Sequence, residues 1–349
     1  MHMSLHAAAL AAGNKRARAR LELHNAVLQC NITRLKALVD GGAALTELDE
    51  HAHTPIHLAV VQPDQVARDS MVSILVSGSD IDERQEALCR VDDFGMTPFH
   101  LAAKYCDSRL MDKMLDSVDD EILEDVMDIR SHRVGELWNG NWGKKEANGE
   151  LAELDVEHMT MLHIALERLV PDVEDEDDDD ADGPGPPISE AARTEAIRMI
   201  TTLLARGADV NARDADARAP IHQAVGAGLH DVAKLLLEAG ANPSLGSKGI
   251  GMTNTVLHQA VQLGDDEMVR LLLRSYPQLE VDAAGQNGLT PLCLAARSNR
   301  EACARALVEA GADPKAVTKF MGKSALDIAR ANDRAALVKL FGGDSTAGA

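Results

Sequence analysis

The chain has 349 residues, 45% apolar but only 2% aromatic, and its 35 basic against 56 acidic residues leave a formal charge of −21. An apolar share of that size can build a core, and its bias toward Ala, Leu, Val and Ile suits close-packed helices better than a sheet sandwich. So negative a charge disfavours nucleic acid and anionic membranes as partners and favours basic ones.

Five cysteines, Cys30, Cys89, Cys106, Cys293 and Cys303, are scattered with no C-x-x-C. This implies a reducing compartment, cytoplasmic or nuclear, with neither a disulfide framework nor a zinc site. No apolar run approaches the length that spans a bilayer. In chain order, residues 1–20 (MHMSLHAAALAAGNKRARAR) carry four basic residues and no acidic one. They are expected to form a disordered basic arm, with an organelle-targeting segment as the alternative.

From Leu21 onward one phrase recurs: LELHNA (21–26), TPIHLA (54–59), TPFHLA (97–102), TMLHIA (160–165), APIHQA (219–224), TVLHQA (255–260), TPLCLA (290–295) and SALDIA (324–329). Successive starts lie 33, 43, 63, 59, 36, 35 and 34 residues apart. Thr or Ser suits a helix N-cap, and the Pro after it suits the first turn, where a missing N–H costs nothing. The apolar and Ala positions face a neighbouring unit. Gly in RGAD, EAGAN and EAGAD ends a second helix in a left-handed turn. Each unit is thus helix–turn–helix plus a projecting loop, stable only when stacked.

These motifs resemble the ankyrin repeat, whose signature is T-P-L-H-x-A with a period of 33. The resemblance runs from about residue 21 to 341 and implies an all-α solenoid of eight units starting near 21, 49, 92, 155, 214, 250, 285 and 319, with a short tail at 342–349. It also implies that His24, His57, His100, His163, His222 and His258 hydrogen-bond backbone across the turn between units. One histidine per stacked unit does not converge as metal ligands must. Cys293 and Asp327 take that position in the last two units, where looser junctions are expected.

Spacing in excess of the repeat places insertions near 78–90, 118–154 and 171–188. The first, with IDERQEALCR, reads as a longer loop. In the second, DDEILEDVMDIR has helical spacing at Ile122, Val126 and Ile129, and is followed by a loop that holds the chain's two tryptophans, Trp138 and Trp142. In the third, nine of the eleven residues from Asp172 to Asp182 are acidic, ahead of a Gly/Pro run, which reads as a disordered spacer.

No G-x-x-x-x-G-K-[ST], H-E-x-x-H or G-x-S-x-G occurs. LGSKGIGMT (245–253) has the glycines and Lys of a phosphate cradle, but falls where a loop between units belongs, with no strand before it. The reading is therefore non-enzymatic, without cofactor or metal. Asn211, with Leu203 eight residues before it, matches the acceptor pattern of asparagine hydroxylation in the family, but GADVNA is also plain repeat consensus.

The resemblance further implies that loop tips and exposed first-helix positions bind partners. Carried over residue by residue, this gives Phe94, Met96, Lys104, Tyr105, Val156, Met159, Arg168, Arg218 and Phe320, with Trp138 and Trp142 on the adjoining insertion. Aromatic, Arg and Met side chains are the usual anchors of such surfaces. The tryptophans either extend that patch or pin their own loop to the stack. The expected function is that of an adaptor, scaffold or inhibitor, a monomer holding a basic or mixed basic–apolar protein segment. An acidic escort for a highly basic client such as a ribosomal protein or histone is the alternative. An enzyme or cofactor site in the 130–154 insertion, where only His132 and Glu136 are at hand, ranks third.

Overall fold

The computed structural model describes residues 21–78, 80–105, 107–129, 131–134, 156–170, 189–249, 252–285, 288–318 and 322–342. Helices dominate, arranged in consecutive pairs. The pairs are α1 (Glu22–Leu28) with α2 (Ile32–Asp40), and α3 (Pro55–Val60) with α4 (Gln65–Val76). After an extra helix α5 (Ile81–Cys89) come α6 (Pro98–Lys104) with α7 (Ser108–Leu115). A second extra helix, α8 (Asp120–Asp128), precedes α9 (Met161–Glu167) with α10 (Glu190–Ala205). Then follow α11 (Pro220–Gly226) with α12 (His230–Glu238), α13 (Val256–Leu263) with α14 (Asp266–Ser275), α15 (Pro291–Ser298) with α16 (Glu301–Glu309), and α17 (Ala325–Ala331) with α18 (Ala335–Leu340).

The chain divides into two compact units. The first holds α1–α10 and the second holds α11–α18. Within the first unit α1, α3, α6 and α9 pack side by side, and α2, α4, α7 and α10 form a parallel outer row. The second unit repeats this with α11, α13, α15 and α17 inside and α12, α14, α16 and α18 outside. The close approach of the inner helices follows from one residue type. The last motif position is Ala26, Ala59, Ala102, Ala165, Ala224, Ala260, Ala295 and Ala329 in turn, and all eight are buried.

Local chemistry starts and stops these helices as their residues dictate. Thr54, Thr97, Thr160, Thr255, Thr290 and Ser324 stand at N-caps in extended backbone, with Pro next at 55, 98 and 291. Gly207, Gly240 and Gly311, which end second helices, have φ of 93°, 95° and 97°, where a β-carbon would be strained.

Five of the repeat histidines bond backbone 23 to 39 residues further along their own unit. Nε2 of His24, His57, His100, His222 and His258 lies 2.9–3.1 Å from the carbonyls of His53, Met96, Ile129, Leu245 and Leu289 respectively. Nδ1 of His57 accepts the Thr54 N–H at 3.0 Å and Nδ1 of His222 accepts the Ala219 N–H at 3.1 Å, so the ring serves as cap even where Thr is missing. Nδ1 of His163 sits 2.9 Å from Thr160 Oγ1. In the first pair Leu21 occupies the cap position, and His24 Nδ1 is buried without a hydrogen-bond partner.

The structure departs from the sequence reading in three places. The 78–90 insertion is not a loop: Asp80 accepts the N–H groups of Asp82 and Glu83 and caps α5, whose Ala87 and Leu88 are buried against the stack. SHRV is strand β1 (Ser131–Val134), paired antiparallel with β2 (Val156–Met159). LGSKGIGMT contains strand β3 (Gly246–Gly249), paired with β4 (Met252–Thr255), so a hairpin stands where a plain loop was expected. The Lys323 carbonyl ahead of Ser324 accepts the Thr318 hydroxyl at 3.0 Å and the Thr318 N–H at 3.1 Å, both within that one turn. The arm 1–20, the segments 135–155 and 171–188, and the tail from 343 lie outside the described residues.

Candidate functional site

Two neighbouring turns of the first unit project side by side ahead of α3 and α6. In the turn before α6, Asp92 Oδ1 accepts the N–H groups of Phe94 (2.8 Å) and Met96 (2.9 Å), and Gly95 takes a φ of 66°. In the turn before α3, Asp49 Oδ1 accepts the N–H groups of His51 and His53, both at 2.9 Å. Such turns hold their own backbone groups and leave the tip side chains outside. The Asp93 N–H donates to the His51 carbonyl at 3.2 Å, which ties the two tips together.

Electrostatics at the base of the tips follow from burial and these bonds. Burial pushes the Asp92 carboxyl above its usual range despite the two backbone N–H groups it accepts. Burial would raise Asp49 too, but bonds from the His53 and His51 N–H groups outweigh it, and Asp49 lies below the usual range. His53 stands between them, its Nδ1 3.1 Å from Asp49 Oδ2 and its Nε2 3.8 Å from Asp92 Oδ2. These carboxylates hold turns together. Among the described residues no group of three His, Cys, Asp or Glu side chains is placed to hold a metal ion. No helix among them is long and apolar enough to cross a membrane.

Phe94 at its tip is 38% exposed, and Tyr105 at the end of α6 is 53% exposed. Lys104 beside Tyr105 and Arg168 after α9 are exposed as well. Met96 is half-buried, and its carbonyl receives the His57 bond. Met159 was expected to face a partner, yet it is 3% exposed: as the last residue of β2 its side chain turns into the stack under α9. Val156 lies at the far end of the same strand. Arg218 belongs to the second unit, where it pairs with Asp214 (3.1 Å) and Asp216 (3.2 Å) of its own turn. Trp138, Trp142 and Phe320 fall outside the described residues. Asn211 spans two loops, accepting the Asn242 N–H at 2.8 Å and donating to the Gly240 carbonyl at 3.2 Å.

Sequence reasoning passed over Leu28, Leu48 and Val91, all exposed on the first unit. The signal for Leu28 was available: it stands seven residues after Leu21, as Val61 stands seven after Thr54.

Stacked helix pairs linked by histidines, with projecting turns, define a helical repeat protein. Ankyrin repeats are recognised in the later part of the chain: the profile described as "Ankyrin repeats (3 copies)" matches residues 188–283 and 257–345. The chain is similar to neurogenic locus notch homolog protein 1 of Xenopus tropicalis, 36% identical over 144 residues, which is 41% of this chain and 6% of that protein. It is similar also to the nuclear factor NF-kappa-B p105 subunit of Gallus gallus, 32% identical over 121 residues, which is 34% of this chain and 12% of that one. The chain therefore spans only a small part of these relatives. Among solved structures it matches the ankyrin repeat domain of Bcl-3 at 20% identity, covering 88% of this chain and 92% of that one with a TM-score of 0.40.

Proposed function

We propose that this chain is a non-enzymatic protein-binding module that holds a basic or mixed basic–apolar segment of another protein, as an adaptor, scaffold or inhibitor. The observation that carries the reading is the exposure of Phe94 and Tyr105 on the third helix pair, beside the exposed carboxylates of Glu50 and Asp93. In a chain with eight aromatic residues in all, two such side chains left exposed at the two ends of one inner helix are unusual. Exposed aromatics rimmed by charge are typical anchors of a protein interface.

The test is affinity capture with the whole chain, set against Phe94→Ala/Tyr105→Ala and against Trp138→Ala/Trp142→Ala. The captured proteins should carry basic segments and should be lost with the Phe94/Tyr105 variant at an unchanged melting temperature. Capture that survives this variant sinks the reading. Loss of capture with the tryptophan variant at an unchanged melting temperature would extend the patch onto the insertion. A lowered melting temperature would instead make those rings pins of their own loop. Removal of residues 171–187 should leave affinity intact, and a large loss would favour an acidic escort of basic clients.

A further inference from the structure

The inner faces of the two units differ in chemistry. Four, seven and eight residues after the cap, a helical side chain points to the same face. In the first three pairs these positions hold Asn25, Leu28 and Gln29, then Leu58, Val61 and Gln62, then Leu101, Lys104 and Tyr105, so each pair offers at least one large apolar or aromatic side chain. Leu28 is 59% and Tyr105 53% exposed, on the pairs to either side of α3. In the second unit the matching positions hold Gln223, Gly226 and Ala227 after Ala219, and Gln259, Gln262 and the exposed Leu263 after Thr255. Large apolar side chains at these places thus run through the first three pairs, whereas the pair of α11 has none and that of α13 has one. Along its edge stand the turn tips with exposed Glu50 and Asp93.

We propose that this row seats an amphipathic helix of another protein, laid across helix pairs one to three, with apolar residues every seven and Lys or Arg along the edge toward the tips. The inference rests on the reading of the chain as a protein-binding module and specifies what the module binds. The spacing favours a helix. Packed helices lie about 8–10 Å apart. Seven residues of helix rise about 10.5 Å and return to nearly the same side. One apolar anchor per helix pair is the result. An extended strand covers about 10 Å in three residues, which turns successive anchors to opposite faces. Leu58 on α3 and Val61 just past its end also widen the row to meet the neighbours three and four residues along that a helical ligand supplies. The charge of the guest follows from the tips and from the formal −21 of the host.

The probe is a labelled peptide of about three heptads with Leu at the seven-residue positions and Lys along one flank. It is titrated by fluorescence anisotropy against the full chain. Three control peptides share its length: a scrambled sequence, one with Glu for Lys, and a proline-rich one of equal charge. The amphipathic basic peptide should bind and gain helicity on binding. Leu28→Ser and Tyr105→Ser, both at exposed positions, should each weaken it about tenfold, in the range of interface anchors. Gln223→Ala in the other unit should leave it unchanged. Equal binding of the scrambled or proline-rich peptide overturns the proposal, as does indifference to both serine variants. If natural partners are captured through Phe94 while this peptide is ignored, the helical seat fails and the protein-binding reading stands. If Phe94 and Tyr105 leave capture untouched, the broader reading fails instead.

Discussion

His57 and His222 each accept a cap N–H at Nδ1 and face a carbonyl of the next pair through Nε2, an arrangement open only to the neutral ring with its proton on Nε2. Burial pushes both imidazoles down to about 4, and His258 is lowered by the same cause. The unfolded chain, whose histidines titrate near 6.5, therefore binds more protons than the folded one between about pH 6.5 and 4. Their contribution to stability is complete above that window and is lost as pH falls through it. Each such histidine should remove on the order of 1 kcal/mol per pH unit inside it. Urea midpoints at pH 7.5 and 5.0 should differ accordingly, and His222→Gln should flatten the slope. A midpoint indifferent to pH over that range would count against neutral capping rings.

Asp107 is a second residue with two duties. It accepts the Leu110 N–H at 3.1 Å as the cap of α7, and its carboxylate pairs with the Arg68 guanidinium, which is largely buried between the second and third pairs. Asp64 caps α4 in the same way but is exposed. Asp64→Ala should cost about 1 kcal/mol, the usual worth of a cap. Asp107→Ala should cost about 3 kcal/mol or more, because it also strands a buried charge. Equal losses in urea unfolding would show that the Arg68 pair adds nothing.

At the scale of elements, the turn before five of the inner helices needs one residue in left-handed backbone. Gly95, Gly288 and Gly322 fill that place at φ of 66°, 67° and 59°, whereas Ala52 and Ala217 fill it at 60° and 55°. Alanine there carries about 1–2 kcal/mol of strain, against which glycine loses about 0.5–1 kcal/mol through its freer unfolded chain. Ala217→Gly should therefore raise stability by up to about 1 kcal/mol, and Gly95→Ala should lower it. Thermal melts of the two variants should move in opposite directions, and a fall with Ala217→Gly would refute the strain argument. The helix pairs themselves could be read from cap, Pro, Ala and Gly because those signals act within a few residues of the element they set. The helix in IDERQEALCR was missed, although Asp80 sits where a cap should, because its apolar content is sparse and its burial depends on what lies beside it. The strands of SHRV and GSKG carry little strand character. Each exists through its partner across the hairpin.

For the whole molecule, surplus acid matters most in how partners arrive. Exposed carboxylates raise the local concentration of basic segments, and salt screens them over a Debye length of about 8 Å at physiological strength. Raising salt should slow association of a basic partner more than it speeds dissociation. Stopped-flow rates across a salt series would show this, and an association rate insensitive to salt would refute steering by acid.

The amino-acid sequence alone determined the repeat, the helix pairs and their caps, since each is written in residues that act on near neighbours in the chain; the histidine links, which join residues 23 to 39 apart, followed from the family resemblance. Tertiary structure decided what is left outside. Met159 looked like a contact residue and is buried, while Leu28 and Leu48 looked unremarkable and stand exposed. Period and motif assign a side chain to a face of its helix or strand. Whether that face meets protein or water depends on what packs there from elsewhere in the chain, and inserted helices and hairpins change that without altering the motif.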